Sequence, residues 1–188
     1  MTQITTDIHR PIIEKAVKGH AKAQRKLYEL YAKAMFNICY RMMNSVEDAE
    51  DMLQEVFCEA FRRLESFRYD STFGAWIKRI TINRCINELK RRKLNLELNE
   101  EITPDAMLDE AEEADDLELK VEHIKHAMGM LPDGYRVIFS LYMLEGYDHQ
   151  EIADIMQISV STSKSQLARA KKKVIEILRA SSMQYNLN

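Results

Sequence analysis

Residues 151 to 169 read Glu151-Ile-Ala-Asp-Ile-Met156, then Gln157-Ile158-Ser159, then Val160-Ser-Thr-Ser-Lys-Ser-Gln-Leu-Ala-Arg169. Two segments of helical periodicity meet here across three residues, which is the layout of a helix-turn-helix. The small side chain of Ala153 lets the two helices cross closely. Short polar side chains begin the second helix, where they can approach base edges in the major groove of DNA. The layout predicts a DNA-binding module.

Basic side chains continue along the second helix, at Arg169, Lys171, Lys172 and Lys173. Such a run is also typical of a solvated helix face. The preceding helix and the short turn favour the other interpretation, in which these cations meet DNA phosphates.

A second informative segment lies in the N-terminal half. It reads Ser66-Phe-Arg-Tyr-Asp-Ser-Thr-Phe-Gly-Ala-Trp76 and leads into a basic helix. Aromatic faces stack on unpaired bases while nearby cations hold the backbone, so the segment is suited to single-stranded DNA. We expect Phe67 and Tyr69, in a loop bounded by serines, to be available to bases. We expect Trp76 to lie in the core.

Asn83 and Asn87 share one face of the predicted helix because they are four residues apart. A side-chain amide both donates and accepts hydrogen bonds, so it can pair with a base edge that has left the duplex. An asparagine that bonds only to its local backbone is the alternative. The basic residues around this pair are Lys78, Arg79, Arg84, Lys90, Arg91, Arg92 and Lys93.

Carboxylates are concentrated in a third segment, Asp48-Ala-Glu-Asp-Met-Leu-Gln-Glu-Val-Phe57. At helical spacing Asp48, Asp51 and Glu55 share a face. The face fits three interpretations: a surface that docks on a basic partner, a solvated face, or a carboxylate metal site. No histidine joins the carboxylates, which argues against the metal site. The residues alone leave docking and a solvated face open, and we expect no metal and no cofactor.

Helical periodicity dominates the chain, and five glycines and three prolines leave little room for the turns of a β protein. We expect Ser45 and the Ser71-Thr72 pair to cap two of the helices. The predicted helices run over about 10–18, 20–43, 46–65 and 71–93 in the first half, and over about 116–130, 132–144, 148–156 and 159–180 in the second.

Charge divides the chain into three parts. Residues 1–93 contain 18 basic and 12 acidic residues (+6), residues 94–122 contain 1 and 12 (−11), and residues 123–188 contain 8 and 6 (+2). The middle part has the composition of a solvated linker. We therefore predict an all-α protein of two small helical domains, 1–93 and 121–188, joined by an acidic linker at 94–120. The two basic domains favour a polyanionic partner although the net charge is −3.

Cysteine usage and hydropathy indicate the compartment. The three cysteines lie far apart and form no metal-ligand pattern, as is typical of a reduced, cytoplasmic protein. No stretch approaches the roughly 18 consecutive apolar residues of a transmembrane helix, so we expect no membrane insertion.

The second half resembles the fourth region of bacterial sigma-70 family sigma factors of the extracytoplasmic-function (ECF) group. The motifs that carry the resemblance are Leu131-Pro132, Arg136, Glu145-Gly146, Glu151-Ile-Ala153, and Thr162-x-Lys-Ser165 followed by Leu167. In that family the final helix reads the −35 promoter element. The resemblance assigns this reading to Thr162, Lys164, Ser165, Ala168 and Arg169. From the residues themselves we add Ser161, at the start of the helix, and Lys171, which continues toward phosphates.

The second half also departs from the family pattern. Gln157 and Ser161 stand where Gly is usual, Ser163 stands where an apolar Val normally packs, and Ala168 removes a larger contact side chain. We expect Ser163 to weaken the packing or to bond a backbone carbonyl. These departures concern the −35 sequence that is read, and the module itself is unaffected.

The first half resembles the second region of the same family, which opens the −10 promoter element and holds a flipped-out base. The resemblance assigns the −10 pocket to Phe67, to the loop through Ser71 (Arg68, Tyr69 and Ser71), and to Asn83 and Asn87. From the basic helix itself we add Lys90 and Arg91 as contacts to the DNA backbone. It also implies docking on the coiled coil of the largest polymerase subunit through Asp48, Asp51, Gln54 and Glu55.

Together the two resemblances imply a sigma factor, which directs core RNA polymerase to promoters and is not an enzyme. The implied partners are core polymerase, promoter DNA and an anti-sigma factor. One alternative is a helix-turn-helix repressor or activator that acts without core polymerase, but it leaves 67–87 unexplained. A metal-dependent hydrolase that uses the carboxylates of 47–55 is another, and it gives the C-terminal basic helix no role.

Overall fold

The computed structural model describes residues 8–94 and 117–185, and every regular element within these ranges is helical. This confirms the predicted all-α class. The chain divides into two compact units, Met1–Leu89 and Lys90–Asn188. Most of the predicted acidic linker, residues 95–116, lies outside the described residues. No helix of the described ranges is both long enough and apolar enough to cross a membrane.

The first unit is built from four helices and a short 3₁₀ turn. The bounds are α1 Arg10–Val17, α2 Ala21–Met43, α3 Val46–Arg62, the 3₁₀ turn Leu64–Ser66 and α4 Phe73–Leu94. The residues of α4 from Lys90 onward belong to the second unit.

Local caps set where two of these helices begin. The Ser45 hydroxyl accepts the N–H of Asp48 (3.2 Å) and the Thr72 hydroxyl accepts the N–H of Ala75 (3.2 Å). Each cap satisfies a backbone donor that has no partner within its helix. Both predicted capping sites are therefore confirmed, the second through Thr72.

The core of the first unit lies between α2 and its neighbours α1 and α3, with α4 packed onto them. Leu27, Val56 and Ile77 from α2, α3 and α4 are fully buried. Each such side chain contributes about 2 kcal/mol of hydrophobic free energy. Thr81 is buried among them, and its hydroxyl donates to the Ile77 carbonyl (2.9 Å). This packing fixes the position of α4 and therefore of the side chains on its exposed face.

The second unit contains α5 Leu117–Gly129, α6 Asp133–Met143, α7 His149–Met156 and α8 Val160–Tyr185. Helix α8 packs against the other three. Arg136 is buried, and its guanidinium donates to the Leu131 carbonyl (2.8 Å) and pairs with Asp133 (2.6 Å). Asp148 and Glu151 form a reciprocal capping box at the start of α7.

Two predicted helix ends differ from the observed ones by three residues or more. Helix α3 stops at Arg62, because the chain tightens into the 3₁₀ turn rather than continuing to residue 65. Helix α8 continues to Tyr185, beyond the predicted end at residue 180, and its last residues include neither glycine nor proline.

Candidate nucleic-acid interface

A groove of about 510 Å³ lies on the exposed side of α4 in the first unit. Its volume is within the range of about 300–1,000 Å³ that is usual for sites that hold a small organic group. The lining residues are Glu59, Arg63, Trp76, Arg79, Ile80, Asn83, Arg84 and Asn87.

The spacing along α4 produces this groove. Trp76, Ile80, Asn83 and Asn87 recur every three or four residues and so lie on one helix face. Ile80 is buried, whereas both asparagines are exposed and Trp76 is half-buried. The groove therefore combines an aromatic ring and an apolar contact with two amides that point to solvent.

The N-terminal end of α4 packs very closely on α2. A Cβ added to Gly74 would lie 3.0 Å from a ring carbon of Tyr31, so glycine permits the approach. The Tyr31 and Phe73 rings meet edge to face with their centroids 5.0 Å apart. These contacts fix the end of α4 that presents Trp76.

Ion pairs organise the charged wall of the groove. Arg84 pairs with Glu55 of α3, and its Nε lies 3.4 Å from Oε2 of Glu59. Arg63 donates to the other carboxylate oxygen of Glu59 (2.8 Å). With Arg79 the lining contains three guanidinium groups and one carboxylate, a balance that favours an anionic ligand such as a DNA backbone.

The expected exposures of Phe67 and Trp76 are wrong. Phe67 is only 7% exposed, and its ring lies 5.4 Å from Trp76 and 5.9 Å from Phe73, centroid to centroid. Trp76 is the ring that lines the groove. The serine-bounded loop folds back onto the start of α4, so Phe67 supports Trp76 from behind and presents little surface to a base.

The remaining residues assigned to −10 contact differ in exposure, and none of them lines the groove. Tyr69 is half-buried against Phe67 (4.7 Å between centroids) in a left-handed backbone conformation, with the Arg10 guanidinium 4.8 Å from its ring centre. Arg68 and Arg91 are exposed, and Ser71 and Lys90 are half-buried. Only Asn83 and Asn87 of the predicted set line the groove itself.

Sequence analysis named Arg79 and Arg84 among the basic residues around the asparagine pair, and it missed Glu59, Arg63 and Ile80 as parts of the site. The regular spacing of Trp76, Ile80, Asn83 and Asn87 was a usable signal. The contributions from α3 were not predictable, since they depend on how two helices pack.

In the second unit α7 and α8 form a helix-turn-helix, as predicted. Gln157 closes the turn with φ 59° and ψ 47°. The Ser159 hydroxyl accepts the Thr162 N–H (3.0 Å) and contacts the Thr162 hydroxyl (2.7 Å), which starts α8. Among the residues assigned to −35 reading, Ser161, Lys164, Ser165, Ala168 and Lys171 are exposed, whereas Thr162 and Arg169 are half-buried.

Ser163 has a partner that was not expected. It is fully buried, and its hydroxyl lies 2.9 Å from Nδ1 of His149 on α7. Weaker packing or a bond to a backbone carbonyl was expected. The imidazole instead bridges the two helices of the module, so the buried hydroxyl is satisfied by a side chain.

The predicted polymerase-docking residues of α3 differ in their surroundings. Asp51 and Gln54 are exposed, Asp48 is half-buried in the first turn, and Glu55 is paired with Arg84. Asp51 and Gln54 therefore form the accessible part of this face, and Glu55 connects it to the groove.

Two family models match the chain. Sigma-70 region 2 matches residues 27–94, which include the groove, and sigma-70 region 4 matches residues 122–174, which include the helix-turn-helix. Together they cover most of the chain.

Curated relatives match over nearly the whole length. The ECF RNA polymerase sigma-E factor of Escherichia coli (strain K12) is 30% identical over 93% of this chain and 95% of its own. The ECF RNA polymerase sigma factor SigW of Bacillus subtilis (strain 168) is 29% identical over 89% of this chain and 95% of its own.

Two solved structures share the fold. CnrH, in complex with the cytosolic domain of CnrY, has a TM-score of 0.55 and 23% identity over 93% of this chain and 99% of its own. The sigma factor RpoE of Bartonella quintana, in complex with the anti-sigma factor NepR, has a TM-score of 0.56 and 21% identity over 82% and 96%. Since both regions match in family order, the chain belongs to the ECF group of the sigma-70 family and is an RNA polymerase sigma factor.

Proposed function

We propose that the groove on α4 holds an unpaired base of the −10 element while the start of α8 reads the −35 element. A sigma factor directs core polymerase to promoters and performs no covalent chemistry of its own. The observation that carries the groove assignment is the alignment of Trp76, Asn83 and Asn87 along one cavity.

The chemistry of the groove suits an unpaired base. The half-buried ring of Trp76 offers a stacking surface, which contributes about 1–3 kcal/mol per base. The amides of Asn83 and Asn87 can donate to and accept from an exposed Watson–Crick edge. The exposed guanidinium group of Arg79 can hold an adjoining phosphate.

The exposed start of α8 suits base edges in a major groove. Lys164 can donate to guanine, Ser165 can pair with several bases, and Ala168 can contact a thymine methyl group. Lys171, further along the helix, fits a phosphate. We assign −35 reading to this face.

The first unit would also dock on core polymerase through the accessible part of α3, at Asp51 and Gln54. In domain terms, residues 1–93 act as region 2, 94–120 as the linker and 121–188 as region 4. This role places the protein in the cytoplasm with the polymerase.

An anti-sigma factor is a further proposed partner. It is supported by the fold shared with the Bartonella quintana sigma factor, whose structure contains one. The second unit also exposes apolar side chains at Met143 and Leu144, a surface of the kind that protein partners cover.

Two alanine variants separate the proposed sites. Holoenzyme with Asn83→Ala should bind a single-stranded −10 oligonucleotide about 1–2 kcal/mol more weakly and a −35 duplex normally, because its amide meets bases only after strand separation. Lys164→Ala should weaken the duplex by about 1–3 kcal/mol and spare the single strand. Equilibrium fluorescence anisotropy measures both.

Asn37→Ala is the matched control, since Asn37 is an exposed asparagine on α2 away from the groove. It should leave both affinities unchanged. If Asn83→Ala and Lys164→Ala weakened both probes equally, the division of labour between the two units would be wrong.

A further inference from the structure

His149 is the first residue of α7. Its ring is half-buried, and Nδ1 lies 2.9 Å from the hydroxyl of Ser163. Ser163 lies one residue before Lys164 on α8, and its side chain is fully buried. A buried hydroxyl without a partner is costly, so this bond helps to fix α8 against α7.

Helix α6 holds the other side of the ring. The Tyr142 and His149 rings stack with their centroids 4.7 Å apart and their planes 29° apart. The ammonium group of Lys171 lies 5.8 Å from the centre of the Tyr142 ring. The imidazole of α7 thus contacts both α6 and α8 and lies close to the proposed DNA-binding face.

The charges that face His149 are mostly positive. Burial lowers the pKa of His149 below its ordinary value, and Lys164 and Lys171 lower it further, while Asp148 opposes them. In the free protein the ring is therefore neutral at and above about pH 7.

We propose that His149 is a positioning residue for the −35-reading helix and that it takes up a proton when this helix binds DNA. The inference rests on the proposed assignment of −35 reading to α8. Phosphates that approach Lys164 and Lys171 offset the positive charge that disfavours the imidazolium ion, and they attract that ion directly. Protonation does not break the bond to Ser163, because a charged imidazole donates and the hydroxyl oxygen accepts.

The sign of the pH dependence follows from linkage. A group whose pKa is higher in the complex than in the free protein strengthens binding once the pH falls through its pKa in the complex. Promoter affinity should therefore rise as the pH is lowered from about 8 to about 6. We expect a gain of about threefold.

Two variants test the positioning and the charge separately in reconstituted holoenzyme, on a promoter duplex selected by that holoenzyme. His149→Asn places an amide near the position of Nδ1, so it keeps a partner for Ser163 but cannot become charged. It should bind like wild type at about pH 8 and lose the gain at about pH 6. His149→Ala removes the partner and should bind about fivefold more weakly at about pH 8.

His126→Asn is the control, because His126 is an exposed histidine on α5. It should keep the wild-type pH profile. A gain retained by His149→Asn would overturn the proton uptake, and His149→Ala with wild-type affinity would overturn the positioning. Wild-type holoenzyme that shows no sequence-specific −35 binding at any pH would instead overturn the assignment of α8 to −35 reading, and this inference with it.

A measurement on the unaltered protein avoids the risk that a variant misfolds. The pKa of His149 is followed by NMR in the full chain, free and with the selected −35 duplex. We expect the pKa to rise on binding. An unchanged or lower pKa in the complex would contradict the proposal.

Discussion

Gln157 stands in the turn of the helix-turn-helix at a position where glycine is usual in the family. It ends α7 in the left-handed backbone conformation, yet its N–H still donates to the Ala153 carbonyl. A residue with a side chain costs of order 1 kcal/mol in this conformation, which glycine adopts freely. The glycine that is usual here in the family thus has a direct structural reason.

We expect Gln157→Gly to stabilise the helix-turn-helix unit by about 0.5–1 kcal/mol, because it removes this backbone strain. Hydrogen exchange of the α7 amides, which reports the local free energy of opening, measures the effect. Gln166→Gly in the interior of α8 is the control and should be destabilising by a similar amount. If both glycines shifted the opening free energy in the same direction, the account of the turn would be incorrect.

The expected exposures of Phe67 and Trp76 were wrong because they depend on contacts between single side chains. Both are large aromatic residues near a helix start, and helical spacing alone placed Trp76 toward Ile77 and Ile80. Which ring is buried depends on how the loop folds back, and this places Phe67 against both Phe73 and Trp76. Asn83 and Asn87 were easier to predict, since their shared face follows from one helix.

At the scale of elements, the sequence predicted all eight helices of the described ranges because their signals are local. Apolar periodicity, the caps at Ser45 and Thr72, and the turn at Gln157 each act within a few residues. The groove was only partly predictable. Its charged wall depends on the pairing of Arg84 with Glu55 and Glu59, which joins two helices distant in sequence.

The exposed face of α3 contains Asp51, which is proposed to dock on core polymerase. Asp51→Arg should weaken binding to core polymerase by about 2 kcal/mol or more, because it replaces attraction to a basic surface with repulsion. Asp51 is a sharper choice than Glu55, whose reversal would also disrupt Arg84. Pull-down of core subunits across a concentration series measures the change.

Glu65→Arg is the matched charge reversal, since Glu65 is exposed on the 3₁₀ turn of the same unit. It should leave core binding unchanged. If Asp51→Arg bound core as well as Glu65→Arg does, α3 would not be the docking face.

At the scale of the whole molecule, the chain combines two DNA-binding units with opposite requirements. The groove on α4 suits an unpaired base, whereas the start of α8 suits a duplex. A protein that needs both has to act where DNA is first bound and then opened. The charge pattern of the sequence indicated two basic domains in advance, with net +6 and +2 on either side of a segment of net −11.

Transcription in vitro from a library of DNA fragments tests the promoter-specific role of the chain most directly. Core polymerase and the purified chain are supplied together or separately. We predict transcripts that begin at a fixed distance from a shared pair of −35 and −10 sequences, and only when both proteins are present. Asn83→Ala and Lys164→Ala should each reduce their yield. If the chain alone bound the same fragments with the same selectivity and left initiation by core polymerase unchanged, its role with core polymerase would be contradicted.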